Sequence, residues 1–306
     1  MSTSRRIIGK RIKNWLIYIL IRSGLIWIRN INRITAIKLL QTLSLFGFYL
    51  AGAERRKTIK HLTMVYGREK SRQEIYQMAK AVFVNLGRNV SDAIRVNTFN
   101  TNNIDRYIKS QGLENLDRAL KKRKGVLAIT GHIGNWELMG AYLSIKGYTV
   151  NVVGAPIYDP RIDELVVKNR LQSGLKYIAR GSATRDIIRA LRRNEIVGLL
   201  IDQDTKHVDG VFIEFLGETA YTPVGPVILA IKTGATIVPM AIHFRKDGTH
   251  FIQVEKELTL KLSNNQEQER IYNTQLCSNV IEKFIRKFPT QWVWMHERWK
   301  TRPGQC

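Results

Sequence analysis

The chain has 306 residues, 44% of them hydrophobic, enough to bury the core of one large α/β domain, and disorder is not its expected state. Lysine and arginine number 49 against 25 acidic residues, a formal net charge of +24 that directs attention to anionic partners: nucleic acid, an acidic membrane surface or an acidic protein. The two cysteines, Cys277 and Cys306, offer no metal-ligand spacing and no disulfide framework, so nothing points to an oxidising compartment.

The positive charge is unevenly spread. No acidic residue precedes Glu54, while Arg5, Arg6, Lys10, Arg11, Lys13, Arg22, Arg29, Arg33 and Lys38 punctuate apolar stretches at 15–28 and 39–53. An ordinary transmembrane helix needs about 20 apolar residues. Arg22 interrupts the first stretch and the second is too short, so neither is a clean span, although the first can insert if Arg22 snorkels or pairs. Tryptophan and tyrosine with basic flanks suit an interfacial segment, so 1–53 is expected to attach the protein to a membrane rather than to form a core helix. The positive residues then face the cytoplasm. A cleavable signal peptide is not expected, because the apolar stretch is interrupted and lacks a small-residue cleavage site.

Residues 54–110 read as a helical region. Gly67 is placed to end a first helix and Ser71 to cap a second. Ile75, Met78, Ala79, Val82, Phe83 and Leu86 recur at helical spacing and give the second one apolar face. From 111 to 306, helical segments alternate with short apolar runs at 126–130, 149–153, 196–201, 236–242 and 251–254, the pattern of an α/β sheet covered by helices. Residues 54–306 are expected to form one domain.

The run Gly131-His132-Ile133-Gly134-Asn135-Trp136-Glu137 carries the first chemical signal. An apolar strand precedes it and a helix follows from Trp136, which sets His132 in a strand-to-helix turn. Within one helix, residues five apart point about 140° away from each other. With His132 ahead of the helix, Glu137 can reach back to one ring nitrogen, fix the tautomer and stabilise the imidazolium, leaving the other nitrogen to take a proton from a hydroxyl. The helix N-terminus favours developing negative charge, and Gly131 and Gly134 suit a tight turn. The competing reading is a structural histidine.

Asp202-Gln203-Asp204 closes the apolar run 196–201. Sites in open α/β sheets gather beyond the carboxyl ends of the strands, so this run and His132 are expected to share one cleft. A metal site of Asp202, Asp204 and His207 competes, although it lacks the loop glycine and ligand count of a calcium loop, as does a strand end with solvated aspartates. The segment 210–226 reads as a hydrophobic loop leading into a helix begun at Pro223 and capped by Thr222; its apolar residues line a groove or fill the core. Arg170 ends a helical stretch over 162–170, where a lone arginine is ordinarily a surface charge. Trp292, Trp294 and Trp299, interleaved with His296 and Arg298, suit either contact with anionic headgroups or a packed terminal segment.

Taken in order, these residues resemble the lipid A biosynthesis acyltransferases, the late acyltransferases of the Gram-negative inner membrane, of lauroyl or myristoyl type. The resemblance runs from the basic apolar N-terminus through the Gly131 to Glu137 run, Arg170, Asp202 to Asp204, Gly217, Thr222 to Pro226, Thr233 to Ala235, Val238-Pro239 and Gln291 to Trp294, ending in Arg298 to Pro303. It implies a glycerophosphate-acyltransferase-like central sheet flanked by helices, with a membrane-associated N-terminal helical segment. It also implies transfer of a fatty acyl chain from acyl carrier protein to a hydroxyl of a lipid A precursor on the cytoplasmic face of the inner membrane. His132 and Glu137 become the catalytic pair, and Asn135, Arg170, Asp202, Asp204 and Thr222 substrate contacts, with neither metal nor organic cofactor. Other acceptors stay open, among them a glycerophospholipid or a phosphatidylinositol mannoside. A non-catalytic membrane or nucleic-acid binding protein is the reading from another class; nucleic acid is disfavoured because the charge lies beside apolar N-terminal stretches.

Overall fold

The computed structural model describes residues 3–180, 183–205 and 208–304; His207 and Cys306 lie outside these, as do the side chains of Arg5, Arg6, Lys10, Arg11 and Lys13. Four helices come first, α1 (Thr3–Asn30), α2 (Arg33–Leu50), α3 (Gly52–Tyr66) and α4 (Arg72–Ile94), followed by the short α5 (Ile104–Tyr107). Strands and helices then alternate as β1 (Ile108–Gln111), α6 (Leu113–Lys121), β2 (Val126–Thr130), α7 (Trp136–Ile145), β3 (Val150–Gly154), α8 (Pro160–Gln172), β4 (Lys176–Ala179), α9 (Ala183–Arg192) and β5 (Ile196–Leu200). A hairpin of β6 (Gly210–Phe215) and β7 (Glu218–Pro223) precedes α10 (Gly225–Thr233), β8 (Thr236–Phe244), β9 (His250–Val254) and α11 (Gln266–Lys287).

Among the described residues, seven strands form one sheet in the order β1-β9-β8-β2-β5-β3-β4. β2 runs parallel to β5 and β8, with Val126 opposite both Ile196 and Thr236, whereas β8 and β9 are antiparallel. Every residue of β2 is buried, because alternation sends Val126 and Ala128 to one apolar cluster and Leu127 and Ile129 to the other. A parallel strand covered on both faces reads as a continuous aliphatic run, which is why β2, β5 and β8 lie where the sequence puts them, while β9 shows instead the alternation of a strand buried on one face. β1 (Ile-Lys-Ser-Gln) and β4 (Lys-Tyr-Ile-Ala) are short, half-exposed edge strands with only one buried residue each and leave no such signal. The sheet therefore begins at Ile108, inside the stretch read as helical.

Connectivity places the cleft. From β2 the chain passes through α7 to β3, on the far side of β5; from β5 it passes through the hairpin and α10 to β8, on the far side of β2. The two connections diverge between β2 and β5, and open α/β sheets hold their ligands at such a switch point.

The hairpin corrects the reading of 210–226. Thr222 and Pro223 are the last residues of β7, paired with Val211 and Gly210, so Thr222 caps no helix; α10 starts at Gly225 with Pro226 in its first turn. Arg298 donates to the Thr222 hydroxyl at 2.5 Å and to the Tyr221 carbonyl at 2.6 Å, fastening the hairpin to the C-terminal segment. Trp292, Trp294 and Trp299 are buried, at 1%, 0% and 4% exposure, and pack on one another and on Phe215 instead of meeting headgroups.

α4 opens with a full capping box, Ser71 bonding the Glu74 amide and Glu74 reaching back to the Ser71 amide, and α3 stops at Gly67. Gly87 lets α2 and α4 touch: a Cβ there would sit 2.3 Å from the Leu40 carbonyl oxygen. Arg33 grips Asp92 with two bonds of 2.8 Å, and Arg95 reaches the Ile28 and Ile31 carbonyls, so the first helices are pinned where α1 meets α2. Among the described residues no single helix is long and apolar enough to cross a membrane, whereas α2 and α3 together, bent by 89°, meet that test by length and composition.

Candidate active site

Strand β2 delivers His132 just past the sheet, and the turn that carries it is clamped from two sides. The Gly134 amide donates to the Gln291 carbonyl at 2.9 Å, the Val293 amide donates to the His132 carbonyl at 3.1 Å, and Asn89 of α4 holds the Gly134 carbonyl at 2.8 Å. Gly134 has φ +58°, and a Cβ there would lie 2.0 Å from the Ile242 carbonyl oxygen, so the turn needs glycine.

The partner of His132 is Asp202. Its Oδ1 lies 2.7 Å from His132 Nδ1, while Oδ2 accepts the His132 amide and the Trp292 indole N–H, each at 2.6 Å. Gly131 makes room for this carboxylate, since a Cβ there would come within 2.9 Å of Oδ2. Burial alone would raise the Asp202 pKa, but the His132 imidazole, the Trp292 N–H and the His132 amide outweigh it and hold the carboxyl well below its usual range. An ionised Asp202 accepts only, so neutral His132 carries its proton on Nδ1 and presents a lone pair at Nε2. Gln203 sets its amide nitrogen 3.2 Å from that Nε2 and 2.9 Å from Nε2 of His296. Burial, reinforced by His132, pushes the His296 pKa down to about 4.

Glu137 is not on a ring nitrogen of His132. From the first turn of α7 it meets Arg170, in the last turn of α8, through Nε at 2.9 Å and Nη2 at 2.5 Å. The sequence offered Glu137 as the nearest carboxylate in the chain, but the fold brings a carboxylate 70 residues away onto Nδ1 and gives Glu137 a guanidinium. Burial would lower the Arg170 pKa, but the Glu137 carboxylate opposite outweighs it and raises it, so the guanidinium keeps its charge.

Two spaces meet at these groups. A cleft of about 440 Å³ is lined by His132, Trp136, Arg170, Arg180 and Gln203, with Pro223 and Pro226 from the hairpin end. A narrow, mainly apolar cavity of about 60 Å³ continues beside it between α7 and the sheet, with Glu137 and Arg170 on its wall and Gly140, Gly198 and Met240 farther in. Trp136, Val153, Arg170 and Leu200 border both.

The structure lines this cleft with His132 and Arg170, sets Asp202 buried behind His132, and engages the other expected contacts elsewhere. Asn135 is buried, caps α7 by accepting from the Leu138 amide at 3.2 Å, and donates to the Asn89 carbonyl at 2.9 Å. Asp204 accepts the Thr301 amide and hydroxyl at 2.6 and 2.9 Å, and Thr222 is fully buried against Arg298. Among the described residues no three metal-ligand side chains converge. Sequence reasoning missed Gln203, Trp292 and His296 as members of the site, although all three stood in runs it had singled out.

A family model described as bacterial lipid A biosynthesis acyltransferase matches residues 6–301. The chain is 27% identical over 238 residues to a lipid A biosynthesis lauroyltransferase of Escherichia coli K12, covering 77% of this chain and 76% of the relative. It is 26% identical over 219 residues to a phosphatidylinositol mannoside acyltransferase of Mycobacterium tuberculosis, covering 70% and 67%. A lipid A biosynthesis palmitoleoyltransferase of E. coli K12 is 25% identical over 256 residues, covering 82% and 80%.

Proposed function

The chain belongs to the bacterial lipid A biosynthesis acyltransferase family, and from that premise we propose that it moves a fatty acyl chain from acyl carrier protein to a hydroxyl of a lipid A precursor, with His132 as general base. The observation that carries this is the 2.7 Å contact between His132 Nδ1 and Asp202 Oδ1, which fixes the tautomer and leaves Nε2 facing the cleft. The acceptor hydroxyl gives its proton to Nε2 as its oxygen attacks the thioester carbonyl. The C–S bond then breaks, and the departing thiolate takes the proton back from the imidazolium, whose charge Asp202 balances. The acyl chain lies along the cleft of about 440 Å³, on the apolar wall formed by Trp136, Val153, Leu199, Ile201 and Leu229.

In this reading residues 1–53 attach the enzyme to the cytoplasmic face of the inner membrane and 54–306 form the catalytic unit. Its support is the row of exposed apolar side chains on α1 and α2, Trp15, Leu20, Trp27, Phe46 and Leu50 among them, beside Arg22 and Lys38. The net charge of +24 suits both an anionic bilayer and an acidic carrier protein. Similarity to the mycobacterial relatives supports a second reading, with a phosphatidylinositol mannoside as acceptor.

The test is transfer of labelled acyl groups from acyl carrier protein to tetra-acylated lipid A precursor, phosphatidylinositol mannoside or lysophosphatidate, with wild type and His132→Ala. Product on the lipid A precursor, lost in the variant, is expected. Product only on another acceptor moves the substrate and keeps the base. Product unaffected by His132→Ala refutes the base.

A further inference from the structure

The lone pair of the base is already occupied. His132 Nε2 faces the Gln203 amide nitrogen at 3.2 Å, in the position an acceptor hydroxyl must take before it can lose its proton. The same nitrogen is 2.9 Å from His296 Nε2. A primary amide nitrogen carries two hydrogens, whereas an amide oxygen facing the His132 lone pair would be repelled, so Gln203 donates one hydrogen to each imidazole. His296 is mostly buried, its ring centroid 4.9 Å from that of His132, and it is kept neutral and able to accept.

Among the described residues, two other donors at the reaction centre are committed. Arg170 spends Nε and Nη2 on Glu137, and the Leu138 amide in the first turn of α7 is capped by Asn135. Gln203 is a neutral donor on the cleft wall, at hydrogen-bond distance from the base and bound there by a contact that a substrate hydroxyl replaces directly.

We propose that Gln203 is the oxyanion donor of the transfer, hydrogen-bonded to His132 until the acceptor hydroxyl displaces it, with His296 as its positioning residue. The inference rests on the acyl-transfer reading above. As the acceptor hydroxyl bonds Nε2, the Gln203 amide keeps its hydrogen bond to His296 and turns the freed N–H to the thioester carbonyl oxygen. The acceptor proton passes to His132, the new C–O bond forms, and the carbonyl π pair moves onto the oxygen that Gln203 holds. Collapse restores the C=O bond and expels the thiolate, which takes the proton from His132. The arrangement keeps the base unavailable to water until an acceptor arrives, which protects the thioester from hydrolysis.

The experiment is steady-state transfer by the full-length chain with labelled acyl carrier protein thioester and lipid A precursor, comparing Gln203→Ala, Gln203→Glu, His296→Ala, His296→Gln and the Gln203→Ala/His296→Ala pair. Loss of one oxyanion donor costs roughly 10² to 10³ in kcat. Gln203→Ala is expected to fall by that much with both KM values within about threefold of wild type, and the isosteric Gln203→Glu, which presents a carboxylate to the oxyanion, by at least as much. His296→Ala should lose about tenfold, His296→Gln should recover most of that through its own acceptor oxygen, and the double variant should be no slower than Gln203→Ala. A purely structural His296 would instead add its cost to the double variant, and that result overturns its positioning role. Folding is checked by thermal melting of each variant, and Gln203→Glu keeps the test decisive should Gln203→Ala not fold. Gln203→Ala or Gln203→Glu turning over within threefold of wild type, or faster, overturns the proposal. His132→Ala, run alongside, separates the two levels: retained activity there refutes the base assignment and the proposal with it, while an inactive His132→Ala beside an active Gln203→Ala refutes the proposal alone.

Discussion

The indole of Trp292 donates to Asp202 Oδ2 at 2.6 Å, joining a C-terminal residue to a carboxylate 90 positions earlier in the chain. With the His132 amide on the same oxygen, this bond leaves Asp202 one way to face, with Oδ1 on the imidazole. Trp292→Phe keeps the aromatic bulk against Trp294 and Phe215 and removes only the donor. A hydrogen bond to a charged group is worth about 1.5–3 kcal/mol. Thermal melting should show a loss of that order, and kcat should fall roughly tenfold as the base loosens.

Glu137 and Arg170 act as a unit. Removing either leaves the other partly buried and unpaired at the mouth of the apolar cavity, so Glu137→Ala and Arg170→Ala should each impair transfer. The double variant should be less impaired than the product of the two single effects, with a coupling of about 0.5–3 kcal/mol. Strict additivity in a double-mutant cycle on kcat/KM would show that the two groups work separately.

Acid should weaken the fold before it protonates the buried carboxylates. His243, stacked on Phe288, and His296 are each held neutral by burial and neighbouring positive groups, with pKa values lowered to about 4. The unfolded chain takes up these protons near pH 6.5, before the folded one does. Stability is therefore complete above about pH 6.5 and declines toward pH 4, by at most about 3 kcal/mol per group. Glu195, lowered to about 2, loses its contribution only below its unfolded value of 4.5. Melting temperature should fall between pH 6.5 and 4, and His243→Gln should flatten that slope.

The contact between α2 and α4 leaves no room for a methyl group. Gly87→Ala would force a Cβ to 2.3 Å from the Leu40 carbonyl oxygen and 2.5 Å from the Ser44 hydroxyl, so the helices must part. Overpacking of this kind costs about 1–3 kcal/mol. A lowered melting temperature, with limited proteolysis appearing within 33–50, is the expected result.

The parts of the fold that announce themselves in the sequence are those the sheet buries on both faces. Val126–Thr130 and Ile196–Leu200 are continuous aliphatic runs because α-helices cover both sides of them, and Ser71 and Gly67 mark helix ends through their own local bonds. Edge strands β1 and β4 answer to one face only, and the β6–β7 hairpin has a two-residue turn at Leu216 and Gly217, both with positive φ, without the Asn-Gly or Asp-Gly signal. The site divides in the same way. His132 was visible from its strand, its turn and its helix, all local, and the run Asp202 to Asp204 from the end of its strand. Which carboxylate orients His132 is a matter of register between β2 and β5, where Thr130 pairs with Leu200 and sets Asp202 opposite the turn. The spacing of His132 and Glu137 along the chain holds no information about that register, and Trp292 and His296 reach Asp202 and Gln203 only through the fold of the C-terminal segment.

The most direct test of the His132–Asp202 pair is the single-turnover rate of labelled acyl transfer from acyl carrier protein to lipid A precursor in wild type, Asp202→Asn and Glu137→Gln. The amide introduced by Asp202→Asn would offer an NH2 group or a neutral oxygen where the base needs a charge. Pairing of His132 with Asp202 predicts a loss of about 10³ to 10⁴ for Asp202→Asn, from the wrong tautomer and an unbalanced imidazolium, and a smaller loss for Glu137→Gln, which keeps a hydrogen bond to Arg170. An Asp202→Asn enzyme at near wild-type speed beside a crippled Glu137→Gln enzyme would refute that pairing and return the partnership to Glu137.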